Sequence, residues 1–348
     1  MVELIKPEFI FGDEKKFADF ISSLSNAKKI ICVSHTDLDG IASARVVDYA
    51  LQVDKVIIAN YIDFNGEFAK KLEKENASHV IFSDLILEKE FILKCEKFAD
   101  ILIIDHHIPK EDLNSDKTLF MNSSTSGLCA AYICYYLFSK IKDLKEIDWL
   151  VACACVSDFC YKTNWEWINS VYNKHGEEFK GGLLEKATSG KFWDIQWKIN
   201  LASIYYSEKV KKVYDLIGNK FGEIRDLDKC AEEVQKDFDN TLKRFHEEKI
   251  EFSGGYLWEV YTKFPIKSLL INWLSVEEPN KILIFARKDN GVYHFSARRQ
   301  DGAVNVKDFL QNLVRRFNDG GAGGHFKAAG GHIDEKDEPE FIRRLKEL

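Results

Sequence analysis

The chain has 348 residues, 45% hydrophobic and 30% charged, with a formal net charge of −7. This is ordinary globular composition at a length that favours two domains, and the acidic balance argues against broad binding to long duplex nucleic acid. The longest apolar run, 128–138, is far short of the roughly 18–20 residues a membrane span needs, and the charge-interrupted start MVELIKPEFIFGDEKK is not a signal peptide.

From the N-terminus, 29–34 is an apolar run ending in a polar loop and reads as a buried strand. A helix at 41–51, a strand at 56–60 and a charged amphipathic helix at 67–75 follow. Then come a strand at 80–83, a helix at 88–97 and a strand at 101–104. Continuous apolar strands separated by helices indicate a parallel sheet covered on both faces. Ligands bind such sheets beyond the carboxyl ends of the strands. The pattern then turns helical. Ser126 is placed to cap a helix running to about 139, and 146–156 reads as another. Residues 164–250 are polar and helical, with Gly181, Gly182 and Gly190 marking turns. Beyond Phe252, strands at 256–262, 281–287 and 292–297 accompany helices at 266–274 and 306–317. The turn Ser253-Gly254-Gly255 separates a domain of residues 1–250 from one of 251–348. The expected fold class is α/β: a parallel-sheet N-terminal domain with a helical middle, and a smaller α/β C-terminal domain, with the active-site cleft between them.

Eight cysteines are present, but Cys32, Cys129, Cys134, Cys153 and Cys155 lie in apolar segments and no CxxC pair occurs. Buried reduced thiols in a cytoplasmic protein are the expectation, not a disulfide framework. The charge is uneven. Residues 281–332 carry nine Lys or Arg against four Asp, which is +5, leaving −12 for the rest. A local basic face on an acidic protein suits a small anionic ligand.

Acidic and imidazole side chains fall where strands end. His35, Asp37 and Asp39 follow the first strand in SHTDLDG. Asp84 ends the third in IFSD. Asp105, His106 and His107 end the fourth in IIDHH, and Asp158 follows a helix in CACVSD. Alone, a DxD pair in a loop is more often a turn or a helix cap, and a His-His pair is more often a surface or core pair. Four such clusters, three of them at successive strand ends, point to a common site. An extended segment would put His35, Asp37 and Asp39 on one side, with Gly40 letting the chain turn into the next helix. Carboxylate-rich sites with one or two imidazoles favour Mn²⁺ or Mg²⁺ over structural zinc. Two such ions, about 3.5–4 Å apart, would relieve the carboxylate repulsion and clamp a phosphate.

In order, these motifs resemble those of the DHH phosphoesterases, named for the triplet at Asp105-His106-His107. Near the other end, SARRQDGAVNVKDF followed by GGAGGHFKAAGG resembles the DHH-associated domain, so the likeness runs from about residue 28 to 332. The resemblance implies roles residue by residue. His35, Asp37 and Asp84 hold one metal. Asp39, Asp84, His106 and Asp158 hold the other, with Asp84 bridging. His107 sits beside the phosphate, and Asp105 orients an imidazole. The interval of two between His35 and Asp37 departs from the small-substrate branch, which uses four. It is more like the RecJ exonucleases and a second group of oligoribonucleases.

The substrate is expected at the C-terminal domain. Gly323 and Gly324, in the Gly-rich loop before His325, can bring backbone amides around a phosphate. His325 can donate to a phosphoryl oxygen, and Arg298 can grip a second phosphate with its planar fork; Arg299 and Lys327 are further candidates. Metals at one domain and phosphate contacts on the other would act as a ruler. The aromatic stretch 161–167 reads as core packing before a base platform. The implied activity is Mn²⁺-dependent hydrolysis of short oligoribonucleotides or linear dinucleotides to 5′-mononucleotides, with Mg²⁺ as the other candidate ion. The rivals are a 3′-phosphoadenosine 5′-phosphate phosphatase, a cyclic-dinucleotide phosphodiesterase, a RecJ-type single-strand exonuclease, and a non-catalytic nucleotide sensor. The expected partner is a short oligonucleotide or dinucleotide, with no membrane and no stable long-duplex binding. A homodimer through the helical middle is compatible with the pattern.

Overall fold

Five strands, β1 (Ile30–Ser34), β2 (Lys55–Ile58), β3 (His79–Ser83), β4 (Asp100–Asp105) and β5 (Thr118–Asn122), form an all-parallel sheet ordered β2-β1-β3-β4-β5. The structure is a computed structural model and describes residues 2–60, 63–179 and 189–347; Gly181 and Gly182 lie outside the described residues. β5 is absent from the strands expected from the sequence. Only Leu119, Phe120 and Met121 are apolar there, too few to stand out without the β4 edge they pair with.

Alternate residues of each strand feed two cores, as the period of two requires. Ile31, Val33, Val80, Phe82, Ile101 and Ile103 pack on one face with residues of α3 (Gly66–Lys74) and α4 (Lys89–Cys95). Cys32, Ile81, Leu102 and Ile104 pack on the other with α2 (Leu38–Leu51), α5 (Ala130–Phe138) and α6 (Asp148–Ser157). α6 is apolar all round and accordingly buried from Asp148 to Val156. Its one indole N–H is satisfied by donating to Asn219 O at 2.7 Å. The helix expected to begin at Ser126 begins instead at Ala130. Ser126 turns back to Ser123, its hydroxyl donating to that carbonyl at 2.9 Å. Tyr161 and Trp167 are buried, with Trp167 against Tyr132 and Tyr135, so most of the aromatic stretch is core. All eight cysteines are free and seven are buried. Among the described residues, no helix is long and apolar enough to cross a membrane.

The chain divides into two compact units, Met1–Ala231 and Glu232–Leu348. The division falls inside the long helix Asp228–Glu248, earlier than the Ser253-Gly254-Gly255 turn. The reason is packing: Phe245 of that helix lies against Trp258 and Phe285 of the second unit's sheet. That sheet comprises β6 (Ile250–Phe252), β7 (Gly255–Glu259), β8 (Ile282–Asp289), β9 (Val292–Arg298), β10 (Gly321–Gly324) and β11 (Ala328–Asp334). The order is β10-β11-β9-β8-β7-β6, antiparallel except for β7 and β8. Tyr293, Phe295 and Ala297 of β9 join Leu310 and Phe341 in its core. By alternation, Ser296 and Arg298 share the opposite face of β9.

Candidate metal centre

The strand order reverses between β1 and β3, because the chain leaves β1 for β2 on one side and returns to β3 on the other. Such a switch point opens a crevice at the carboxyl ends of the strands. Ser34 and Ser83 close the two strand ends together. Ser83 Oγ donates to Ser34 Oγ at 2.8 Å, and Ser34 Oγ lies 2.7 Å from Gly40 O. Gly40 is required here for close approach: a Cβ on it would stand 2.4 Å from His35 O.

The segment after β1 is not extended throughout. Asp37 is the N-cap of α2 and accepts from Gly40 N at 3.0 Å, so Asp39 already lies in the first helical turn. The shared side expected for His35, Asp37 and Asp39 therefore does not arise from strand alternation. Asp37 is a helix cap and also lies 3.0 Å from His35 Nδ1. Asp39 points elsewhere. It is 2% exposed, and its two oxygens accept from Ala130 N at 2.9 Å and Ala131 N at 2.8 Å. These amides open α5, whose own N-cap, Cys129, makes no side-chain capping bond. A carboxylate at a helix N-terminus is favoured by the exposed amides and the helix dipole. Asp39 Oδ2 is also 3.7 Å from His106 Nε2. Burial pushes the Asp39 pKa up, against the pull of His106.

Asp84 is the centre of the arrangement. It follows β3 in the left-handed region, φ 57°, which Asp tolerates better than most residues. Its Oδ1 lies 3.5 Å from His106 Nε2 and 3.9 Å from His107 Nδ1, and its Oδ2 lies 3.8 Å from His35 Nδ1. Asp84 is 1% exposed, and among the described residues its buried Oδ2 has no hydrogen-bond partner. Burial, and then the charges of Asp39, Asp37, Asp105 and Asp158, hold its pKa well above the usual carboxylate range. A buried carboxylate raised by four others is what a protein leaves for a cation to neutralise.

Asp158, at the C-cap of α6, brings Oδ2 to 3.7 Å from His106 Nε2. Burial and Asp39 push its pKa up to about 6. Asp105 accepts a 2.8 Å hydrogen bond from His107 Nδ1. Burial opposes a charge on His107, but this bond and the Asp105 charge outweigh it and raise its pKa. Three groups of donor atoms within 4.8 Å of one another emerge: His35, Asp37 and Asp84; Asp84, His106 and His107; and His106, Asp158 and Cys160. Cys160 was not foreseen, since a single cysteine in VSDFC carries no spacing signal.

In the second unit, Arg298 ends β9 opposite Ala328 of β11 and Leu283 of β8. Burial lowers its pKa, and among the described residues no carboxylate pairs with it. On the same face of β9, Lys267 Nζ donates to Ser296 Oγ at 3.0 Å, and burial with Arg287 lowers its pKa. Lys267 is a second cation that sequence reading overlooked. Arg299 is already engaged: its fork grips Asp301 at 2.7 and 2.8 Å. The expected Gly-rich loop is instead the edge strand β10, paired with β11. Gly324 needs its glycine: its φ is 137°, and a Cβ there would stand 2.5 Å from Ala329 Cα, whereas Gly323 faces open space. His325 is exposed at the β10–β11 turn, its amide donating to Ala328 O at 2.7 Å.

Residues 29–156 match the model described as the DHH family, N-terminal domain, and residues 267–348 match the DHHA1 domain. No curated protein matches the chain. Among solved structures, an exonuclease RecJ bound to manganese aligns over 100% of this chain and 96% of its own, at TM-score 0.68 and 15% identity. RecJ from Thermus thermophilus in complex with Mn²⁺ aligns over 100% of this chain and 55% of its own, at TM-score 0.67 and 15% identity. The pGpG-specific phosphodiesterase PggH from Vibrio cholerae aligns over 91% of this chain and 99% of its own, at TM-score 0.50 and 13% identity. At these identities the likeness is one of fold.

Proposed function

The chain carries a DHH-family N-terminal domain and a DHHA1 domain; on that premise we propose that it is a two-metal phosphodiesterase acting on short oligoribonucleotides or linear dinucleotides. The observation that carries this reading is the buried Oδ2 of Asp84, without a hydrogen bond among the described residues, amid His35, His106 and four further carboxylates. His35, Asp37 and Asp84 would hold one divalent ion. Asp39, Asp84, His106 and Asp158 would hold the second. The donor set is oxygen-rich with a few imidazoles, which suits Mn²⁺ or Mg²⁺. When bound, the ions supply positive charge against the phosphate oxygens and make water a better nucleophile.

The chain's own groups do the rest. Asp105 orients His107 through Nδ1 and holds it more basic, so a His107 imidazolium would donate a hydrogen bond to a phosphoryl oxygen. Asp39 ties the start of α5 to α2, holding its carboxylate in place for the second ion. In the second unit Arg298, with Lys267 on the same face of β9, would grip a phosphate, and His325 would donate to a phosphoryl oxygen. A pair of cations on one sheet face fits one or two phosphates. A neighbour of this fold is named for activity on pGpG, a linear dinucleotide.

A single-strand exonuclease is the second reading. Chain length does not argue against it, since the alignment spans 96% of one RecJ exonuclease. The deciding experiment incubates the protein with Mn²⁺ and a panel. The panel holds a 5′-phosphorylated dinucleotide, longer RNA, 3′-phosphoadenosine 5′-phosphate, a cyclic dinucleotide and single-stranded DNA. Rates that fall steeply with length, with 5′-mononucleotide as product, are expected. Equal rates on long single-stranded DNA would replace the short-substrate reading with the exonuclease. Tight nucleotide binding without mononucleotide release would make the protein a sensor.

A further inference from the structure

Next to Asp158 the centre contains a sulfur atom that none of the family's motif residues accounts for. Asp158 ends α6, and Phe159 follows in the left-handed region at φ 57°. A bulky side chain seldom occupies that region, because its Cβ crowds the backbone. The consequence is a tight reversal: Cys160 N donates to Cys155 O at 2.9 Å, and Cys160 Sγ returns to 3.1 Å from Asp158 Oδ2. That Asp158 oxygen is itself 3.7 Å from His106 Nε2. His106, Asp158 and Cys160 thus present imidazole nitrogen, carboxylate oxygen and sulfur within 4.8 Å of one another. The same His106 Nε2 faces Asp84 Oδ1 at 3.5 Å, and the other, buried oxygen of Asp84 has no hydrogen-bond partner among the described residues. Cys160 is also the one cysteine of the eight that is not fully buried.

We infer that Cys160 is a further metal ligand, giving the His106–Asp158 position a thiolate donor and a preference for a thiophilic divalent ion such as Zn²⁺ or Cd²⁺. This rests on the two-metal reading above and concerns only the second position. Sulfur is soft and selects Zn²⁺ and its heavier relatives, whereas the carboxylates around Asp37 and Asp84 suit hard Mn²⁺ and Mg²⁺. The two positions therefore differ in kind, one served by oxygen and imidazole, the other by oxygen, imidazole and sulfur. On binding, the Cys160 S–H proton leaves to solvent and the sulfur electron pair goes to the cation, so a thiophilic ion is bound with proton release. A protein working with Mn²⁺ would be displaced toward a Zn²⁺- or Cd²⁺-loaded form by small amounts of either ion.

The test titrates Cd²⁺ into the full-length protein and into C160S and C160A, following the ultraviolet thiolate-to-Cd²⁺ absorption. Calorimetry measures Cd²⁺ and Mn²⁺ affinities in parallel, and circular dichroism checks the fold. The expected result is a thiolate band in the parent that both variants lack. The ratio of Cd²⁺ to Mn²⁺ affinity should fall roughly tenfold or more in both. Serine keeps a hydrogen-bond donor to Asp158. A C160S variant that behaves like the parent while C160A does not would assign Cys160 to positioning and overturn the inference. A parent that binds Mn²⁺ but shows no thiolate band with Cd²⁺ overturns it too, leaving the two-metal reading intact. A parent that binds neither ion overturns both.

Discussion

At the carboxyl ends of β1, β3 and β4, Asp37, Asp39, Asp84, Asp105 and Asp158 stand around three imidazoles, and burial, then the charges of the other four, raise Asp84 well above a normal carboxylate. At the end of β9 the situation is inverted. Arg298 and Lys267 lie on one face with no acidic partner among the described residues, and burial makes both cations less comfortable. Each unit keeps one sign of charge in excess at a strand end. A fold that needed only stability would pair these groups or replace them. On the two-metal reading, the first unit would receive cations and the second would receive anions.

Asp84→Asn should disturb this contrast most. Asn keeps the shape and tolerates the left-handed backbone, but removes the charge that a cation would neutralise. Mn²⁺-dependent hydrolysis should fall by about 100-fold or more, while the metal-free variant melts at a higher temperature than the parent. If activity survives, or the metal-free variant melts lower, the first unit is not a strained cation site.

Arg298→Ala tests the other side. Losing a charge-assisted contact to phosphate costs about 1.5–3 kcal/mol, or roughly 10- to 100-fold in kcat/KM, carried mainly by KM. Mn²⁺ affinity, read by calorimetry, should stay as in the parent. A change in metal affinity instead would merge the roles that the two units keep apart.

A smaller, pH-dependent effect belongs to Asp158. Its folded pKa is raised from 3.8 to about 6, so folding favours the protonated carboxyl. In the metal-free parent, stability is lost as pH rises through this interval and the buried group ionises. Asp158→Asn escapes that loss. Without metal, it should melt above the parent at pH 7, with the gap narrowing toward pH 4; saturating Mn²⁺ should reverse the order. A gap that does not change with pH would mean the carboxyl carries no burden of this kind.

Arg299→Ala should do least. Its fork is already spent on Asp301, and pairs this close to solvent contribute about 0–1 kcal/mol. KM should rise no more than a few-fold. A loss as large as that of Arg298→Ala would show that the Asp301 pairing gives way to substrate.

The sequence by itself determined the parallel sheet of the first unit and the residues at its strand ends. Strands buried on both faces are continuous apolar runs, and the first polar residues after them must lie where the strands stop, so His35, Asp84 and Asp105-His106-His107 could be located from pattern alone. It also determined the second unit's β8 and β9 and the helices beside them. What only the tertiary structure decided depends on neighbours distant along the chain. Asp39 bonds to the amides of Ala130 and Ala131, far along the chain, and no local pattern encodes that. β5 and β10 are strands because β4 and β11 are there to pair with them, not because of their own composition. Arg299 is engaged by Asp301 while Arg298 is not, since adjacent residues at a strand end leave in opposite directions. Cys160 reaches Asp158 only because Phe159 takes a conformation that its side chain disfavours. Local propensity places the elements; the contacts that gather a row of acids around three imidazoles are made across them.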